Sequence, residues 1–214
     1  MDLLSRPAGR AVSKVAATVR SAALACARTV RASAWPAVAS VAAVALPPGG
    51  VSGQGLTRDE ALRLAFPEAD SVVRRTAYLD EGEVSRAGEW AGPEAPVDVG
   101  VVSYYVAMRE GRASGVAYFD AHRVRTLPEV LMFVVGPDHR IRRTEVVRFS
   151  EPPEYRPPGG WLEQLDGRAL DEALSLKGDV AGITGATLTA RAVTAAARRV
   201  LALHAVIAPF EGAR

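Results

Sequence analysis

Cysteine is almost missing from this chain, since Cys26 is the only one. No internal disulfide can form and no cysteine-built metal cluster can assemble within one chain, so any redox chemistry has to come from a bound cofactor. Lysine is nearly as scarce: Lys14 and Lys177 are the only two among 26 basic residues, a compositional bias that carries no mechanism. The three histidines, His122, His139 and His204, are far apart, and no pair has the spacing of a metal site on one helix. No Gly-x-Gly-x-x-Gly follows a strand pattern, and neither Gly-x-Ser-x-Gly nor a Walker sequence is present, which leaves a nicotinamide fold and a hydrolase without support. An excess of positive charge is absent from the body of the chain as well. Residues 1–55 hold six basic groups (Arg6, Arg10, Lys14, Arg20, Arg28 and Arg31) against Asp2, leaving 20 basic and 23 acidic residues in 56–214. A nucleic-acid binder needs a basic face on its folded domain, so no nucleic-acid partner is expected.

A long apolar run is also lacking. The longest stretch, residues 32–46, is interrupted by Pro36 and falls short of the roughly 20 apolar residues that span a bilayer. With the basic stretch before it and the small-residue exit PPGGVSGQG after it, residues 1–55 read as a secretory leader, cleaved or loosely anchoring. The expected location is therefore outside the cytoplasm, in the periplasm or on the outer face of the cytoplasmic membrane, and the mature chain is expected to begin between Ala45 and Leu56. No adjacent Arg-Arg pair precedes the apolar run, so the twin-arginine route has no support. Cys26 in Ala23-Leu24-Ala25-Cys26 reads as incidental, because Arg20 interrupts what would be a lipoprotein signal.

From residue 56 the pattern is that of an ordered domain. Thr57-Arg58-Asp59-Glu60 is a capping box, and the spacing predicts a short helix to about Phe66, with Ala61, Leu62, Ala65 and Phe66 inward and Pro67 ending it. Residues 81–96, rich in Gly, Glu and Pro, read as an exposed connection. Residues 99–108 and 115–124 form one hairpin signal, and residues 130–136 and 141–149, turning through Pro137-Asp138-His139-Arg140, form a second. Residues 151–161 hold too many prolines for helix or ladder and read as an irregular segment over the sheet, a candidate wall of a binding site. A last helix is predicted over about 188–206, with Val193, Ala196, Ala197, Val200, Leu201 and Leu203 in the core and His204 near its end, interacting with the dipole. The fold class is thus α+β: an antiparallel sheet of hairpins packed against a C-terminal helix and preceded by a short N-terminal helix. The organisation read is a leader over 1–55, a helix and connection over 56–98, and a cofactor-binding domain over 99–210.

The informative motif is Gly182-Ile183-Thr184-Gly185-Ala186-Thr187, which runs straight into the last helix. A helix start carries unpaired N–H groups and partial positive charge, which suits a phosphate. Gly185 and Ala186 have no bulk to keep a phosphate from the backbone, and Thr184, Thr187 and Thr189 add hydroxyls. On residues alone, an ordinary threonine cap on a core helix explains the pattern as well.

The segment GITGATLTARAVTAA resembles the signature of the FMN-binding domain found in flavinylated subunits of the sodium-pumping NADH:quinone oxidoreductase and the Rnf complex, in nitrous-oxide regulators and in many exported flavoproteins. Thr184, Gly185, Ala186, Thr187 and Thr189 all fit its pattern, and the resemblance extends over about residues 95–205. It implies FMN as cofactor, held around Thr184, Gly185, Ala186, Thr187, Leu188 and Thr189. It further implies that a magnesium-dependent FAD:protein FMN transferase esterifies the FMN phosphate to Thr187. The ring needs an apolar wall, for which Tyr118, Phe119, Tyr155 and Trp161 are candidates. Arg123, Arg125 and Lys177 are available to balance charge, and Glu151 to face the pocket. The family commonly has Asp six residues before the modified Thr, where this chain has Ala181, with Asp179 two places earlier. The implied role is an electron carrier working with a membrane or extracytoplasmic redox partner, a cytochrome or a reductase, rather than an enzyme with its own small-molecule substrate. The alternative is an extracytoplasmic binding or regulatory module of the same fold without redox flavin, its Thr turn serving only as a helix cap.

Overall fold

The structure, a computed structural model, describes residues 55–211. The leader reading, apart from Gly55, and the reading of Cys26 therefore lie outside the described residues. At Gly55 the chain passes close to the sheet: a Cβ there would stand 2.7 Å from the Val147 carbonyl oxygen, so only glycine lets the chain pass.

Helix α1 (Arg58–Ala65) forms where the capping box predicts it. The Glu60 N–H donates to Thr57 Oγ1 at 3.2 Å, and the Thr57 N–H donates to Glu60 Oε2 at 2.8 Å. After β1 (Ser71–Tyr78) comes α2 (Glu81–Ala91), where an exposed connection was expected. A second capping box explains it: the Glu83 N–H donates to Asp80 Oδ1 at 2.8 Å and the Asp80 N–H to Glu83 Oε2 at 3.0 Å. The core face of α2 is only Ala87 and Ala91, both buried.

Four further strands follow, β2 (Val101–Arg109), β3 (Arg112–Arg123), β4 (Pro128–Val135) and β5 (Ile141–Phe149). All five strands pair antiparallel in sequence order. The tight β2–β3 turn is set by positive φ at Glu110 (51°) and Gly111 (73°), as a two-residue hairpin loop of the primed kind requires. After β5 the chain makes a short 3-10 turn at Pro153–Tyr155, one helical turn, α3 (Gly159–Leu162), and a second 3-10 turn at Glu163–Leu165 before α4 (Thr187–Ile207). The α+β architecture read from the sequence is the one observed.

Strand alternation gives the sheet two buried faces. On one, Tyr104, Val106, Tyr118, Leu131 and Phe133 pack with Val193, Ala197, Val200 and Leu201 of α4 and with α2. On the other, Ala117, Met132, Val134 and Val147 meet Ala61 and Leu62 of α1. Burial on this scale contributes about 2 kcal/mol per large apolar side chain, and the interior strand β4, buried on both faces, is apolar almost throughout.

His204 lies outside the role expected from its place near the helix end. It is buried, and its Nδ1 lies 3.0 Å from the Tyr118 hydroxyl while its Nε2 lies 3.1 Å from His139 Nδ1. Burial, with His139 adding to it, pushes its pKa down to about 4, so at neutral pH it is an uncharged core residue rather than a cation at a dipole.

Among the described residues β1 pairs only with β2, and it is exposed along almost its whole length, Arg74 and Arg75 included. The sheet also forks. β2 and β3 pair from Tyr104–Tyr118 to Arg109–Arg112; beyond that point residues 101–103 pair with β1 alone and residues 119–123 with β4 alone. Among the described residues no helix is long and apolar enough to cross a membrane.

Candidate functional site

The turn before α4 closes through the Ala186 N–H, which donates to the Ile183 carbonyl at 3.0 Å. Gly185 in that turn has φ +81°, the backbone of a type II turn at its third position, where glycine is free of strain. A Cβ there would meet nothing within 4 Å, so the constraint is conformational and not spatial. The helix begins without a side-chain cap: the N-cap residue is Ala186, and Thr187 is already the first helical residue. The first backbone bond of the helix runs from the Ala190 N–H to the Ala186 carbonyl. Hence the N–H groups of Thr187, Leu188 and Thr189 have no partner among the described residues. A threonine cap, the ordinary explanation of the motif, is not what the turn makes.

These groups face a cleft of about 260 Å³, lined by Gly185, Ala186, Thr187, Leu188 and Thr189 on one side and by Arg125 and Tyr155 on the other. Each wall is built from elsewhere. The Arg125 guanidinium lies 5.0 Å from the centre of the Tyr155 ring, a cation–π contact that lays the arginine over the cleft. The Thr189 hydroxyl donates to the Tyr155 carbonyl at 2.8 Å, tying the irregular segment to the first turn of α4. Glu151 does not line the cleft; it sets the turn that carries Arg125. Its Oε1 accepts from the N–H groups of Arg125, Thr126 and Leu127 at 3.2, 2.8 and 2.9 Å. The amides of Leu127 and Thr126 hold this carboxyl below its ordinary pKa against the opposing effect of burial, with Arg125 adding to the shift. Glu151→Ala is therefore expected to weaken retention of a phosphate ligand roughly tenfold while removing nothing from the cleft wall. Equilibrium dialysis of wild type and variant against the ligand measures this, and unchanged affinity would disconnect Glu151 from the site.

Other residues singled out in the sequence lie elsewhere. Thr184 is exposed on the far side of Gly185 and is not part of the cleft wall. Trp161 donates its Nε1–H to the Ala181 carbonyl at 2.7 Å, and the Ala181 N–H donates to Gln164 Oε1 at 2.8 Å. The position of the usual family Asp is thus a braced backbone segment. Asp179 is taken by Arg168 at 2.9 Å. Tyr118 is in the core, and Phe119 is on the opposite face of the sheet against Tyr105. Lys177 is exposed and outside the cleft.

A feature missed in the sequence adjoins the cleft. A second hollow of about 260 Å³ shares Leu188 with it and runs along α4 past Arg191 and Ala195 to Arg199, with Arg123 and His122 on its other side. The spacing 188, 191, 195, 199 is one face of a helix, and that periodicity was the available signal. At its far end stands a buried charge cluster. Arg199 grips Asp120 through Nε and Nη2, both at 2.8 Å. His122 places Nδ1 2.8 Å from Asp120 Oδ1 and Nε2 3.1 Å from Glu129 Oε2. Burial alone would lower the His122 pKa, but the two carboxylates more than reverse this and raise it to about 9. Burial likewise opposes ionisation of Asp120, yet His122 and Arg199 hold its pKa below the ordinary value. Among the described residues no group of three or more His, Cys, Asp or Glu is arranged to hold a metal.

Residues 128–202, from the start of β4 to the second-last turn of α4, match the model of the FMN-binding domain family, which indicates FMN as the cofactor. No curated protein and no solved structure matches the chain.

Proposed function

Starting from the FMN-binding domain that the chain carries over residues 128–202, we propose that this is an exported electron-transfer flavoprotein whose FMN phosphate is esterified to Thr187. One observation carries the reading of the site: α4 starts with no side-chain cap and three N–H groups that have no partner among the described residues, facing a cleft with an arginine on its opposite wall. An uncapped helix start forfeits about 1 kcal/mol, and a phosphate in the cleft would accept from those amides and recover it.

The residues divide the work. Gly185 and Ala186 let the phosphate reach the backbone, and Arg125, placed by Glu151, balances its charge. Tyr155 and the half-exposed Leu188 offer the apolar surface nearest the turn. Thr187 is exposed and so open to a separate transferase: its Oγ forms the bond to phosphorus as the pyrophosphate bond of FAD breaks, AMP leaves, and the hydroxyl proton is lost. Bound flavin supplies one- and two-electron chemistry. A cytochrome or reductase outside the cytoplasm, or at the membrane, is the partner class that this assignment calls for.

The test is purification from an exporting host that also expresses the FAD:protein FMN transferase. The expected protein is yellow, keeps its flavin absorbance after denaturation and gel filtration, and starts between Ala45 and Leu56. Colour lost on denaturation would leave bound FMN and remove the ester. Colourless protein from that host would favour the binding module without flavin.

A further inference from the structure

A cavity of about 780 Å³ lies at the fork between β2 and β3 and not at the phosphate cleft. It lies well apart from that cleft: Arg199 is twelve residues along α4 from Thr187, about 18 Å at the helical rise. The cavity has the size of a small-molecule site. Tyr105, Phe119, Val130 and Val147 give it an apolar wall, while Arg199 and Asp120 mark its polar end. One feature of that end selects a ligand. Asp120 engages Nε and Nη2 of Arg199 and leaves Nη1 without a partner among the described residues. A guanidinium nitrogen is a donor only, so the group that satisfies it must be an acceptor. The charged groups on the wall are Arg58, His122 and Arg199 against Asp98 and Asp120, with Glu129 bound behind His122, so the charges balance and it is the free Nη1 donor that selects the ligand. The fork adds recognition of a flat edge: where pairing stops, alternate residues of 101–103 and 119–121 turn N–H and C=O groups toward the gap.

We infer that the fork between β2 and β3 is a second binding site, for a planar aromatic compound ending in a carboxylate or carbonyl group, with that group on Arg199 Nη1 and the ring between the split strands. The site goes beyond the flavin assignment and does not depend on it.

The full chain is titrated with 2-naphthoate and with (2-naphthyl)methylammonium, equal in ring but opposite in charge, by calorimetry and by ligand-observed NMR. Naphthoate is expected to bind below about 1 mM and the ammonium compound at least tenfold more weakly. Ala121→Trp and Val101→Trp each place an indole in the fork from an exposed position on one of its two strands. Each is expected to weaken naphthoate at least tenfold without changing the FMN content of the protein. Equal binding of the two probes would overturn the role of Arg199. Undiminished naphthoate binding in both tryptophan variants, or none in wild type below about 10 mM, would overturn the site. FMN content is read separately from visible absorbance, so failure of the flavin assignment and failure of the fork site give different results.

Discussion

Thr187→Ala is expected to abolish the mass increase of one FMN less one water that co-expression with the transferase produces, while FMN bound without the ester remains detectable. The structure separates the three hydroxyls of the motif. Thr189 is buried, 1% exposed, and its hydroxyl is spent on the Tyr155 carbonyl, so a modifying enzyme cannot reach it. Thr184 is exposed but stands outside the cleft, across the turn made by Gly185. Thr187 alone is exposed, on the cleft wall, and at the first position of the helix, where the unpaired amides can share the charge of a phosphodiester. Thr184→Ala should therefore leave the adduct in place, and Thr187→Ser should remain at least partly modifiable because it keeps a hydroxyl. Tandem mass spectrometry locating the adduct on Thr184 or Thr189 would sink the assignment.

The second large effect is on stability against pH, where two buried histidines act in opposite directions. The pKa of His122 is raised to about 9 in the folded chain from 6.5. Its contribution is thus fully present below pH 6.5 and is lost as pH rises through about 9. For His204 the folded value is lowered to about 4 from 6.5, so its contribution is present above pH 6.5 and is lost as pH falls toward 4. Each shift corresponds to on the order of 3 kcal/mol. Urea unfolding is expected to give greatest stability near pH 6.5, with a decline on both sides. Equal stability at pH 6.5 and pH 9 would show that His122 is not held as an imidazolium between its carboxylates. In His122→Gln the alkaline arm should flatten while the acid arm persists, and overall stability should fall by about 3 kcal/mol or more, because Asp120 and Glu129 lose a charged partner.

What was legible in the sequence was local. Both hairpins, the Thr57 capping box, the phosphate turn and the inward positions of α4 each leave a pattern within a few residues of chain. β1 left none, because it is wet on both faces and shows neither alternation nor an apolar run. α2 was hidden behind Gly82 and Gly88 and a core face of alanines, although Asp80-Glu81-Gly82-Glu83 carries the same cap signal as Thr57-Arg58-Asp59-Glu60. The charge cluster was out of reach for another reason. Asp120 and Arg199 are 79 residues apart, and only the packing of α4 on β3 makes them neighbours. The same holds for His204, which the chain order places near a helix end and tertiary contacts place in the core.

The open edge of β1 has a consequence for self-association. An uncovered strand is a template for a strand of another copy, and a two-fold antiparallel pairing centred on Ser71–Tyr78 would set Arg74 of one chain opposite Arg75 of the other. Like charges facing each other across a ladder are repulsive, so the register that would bury the most edge is the one these two arginines penalise. Removing both charges, rather than altering any apolar residue, is the change that would turn this rim into an aggregation seed.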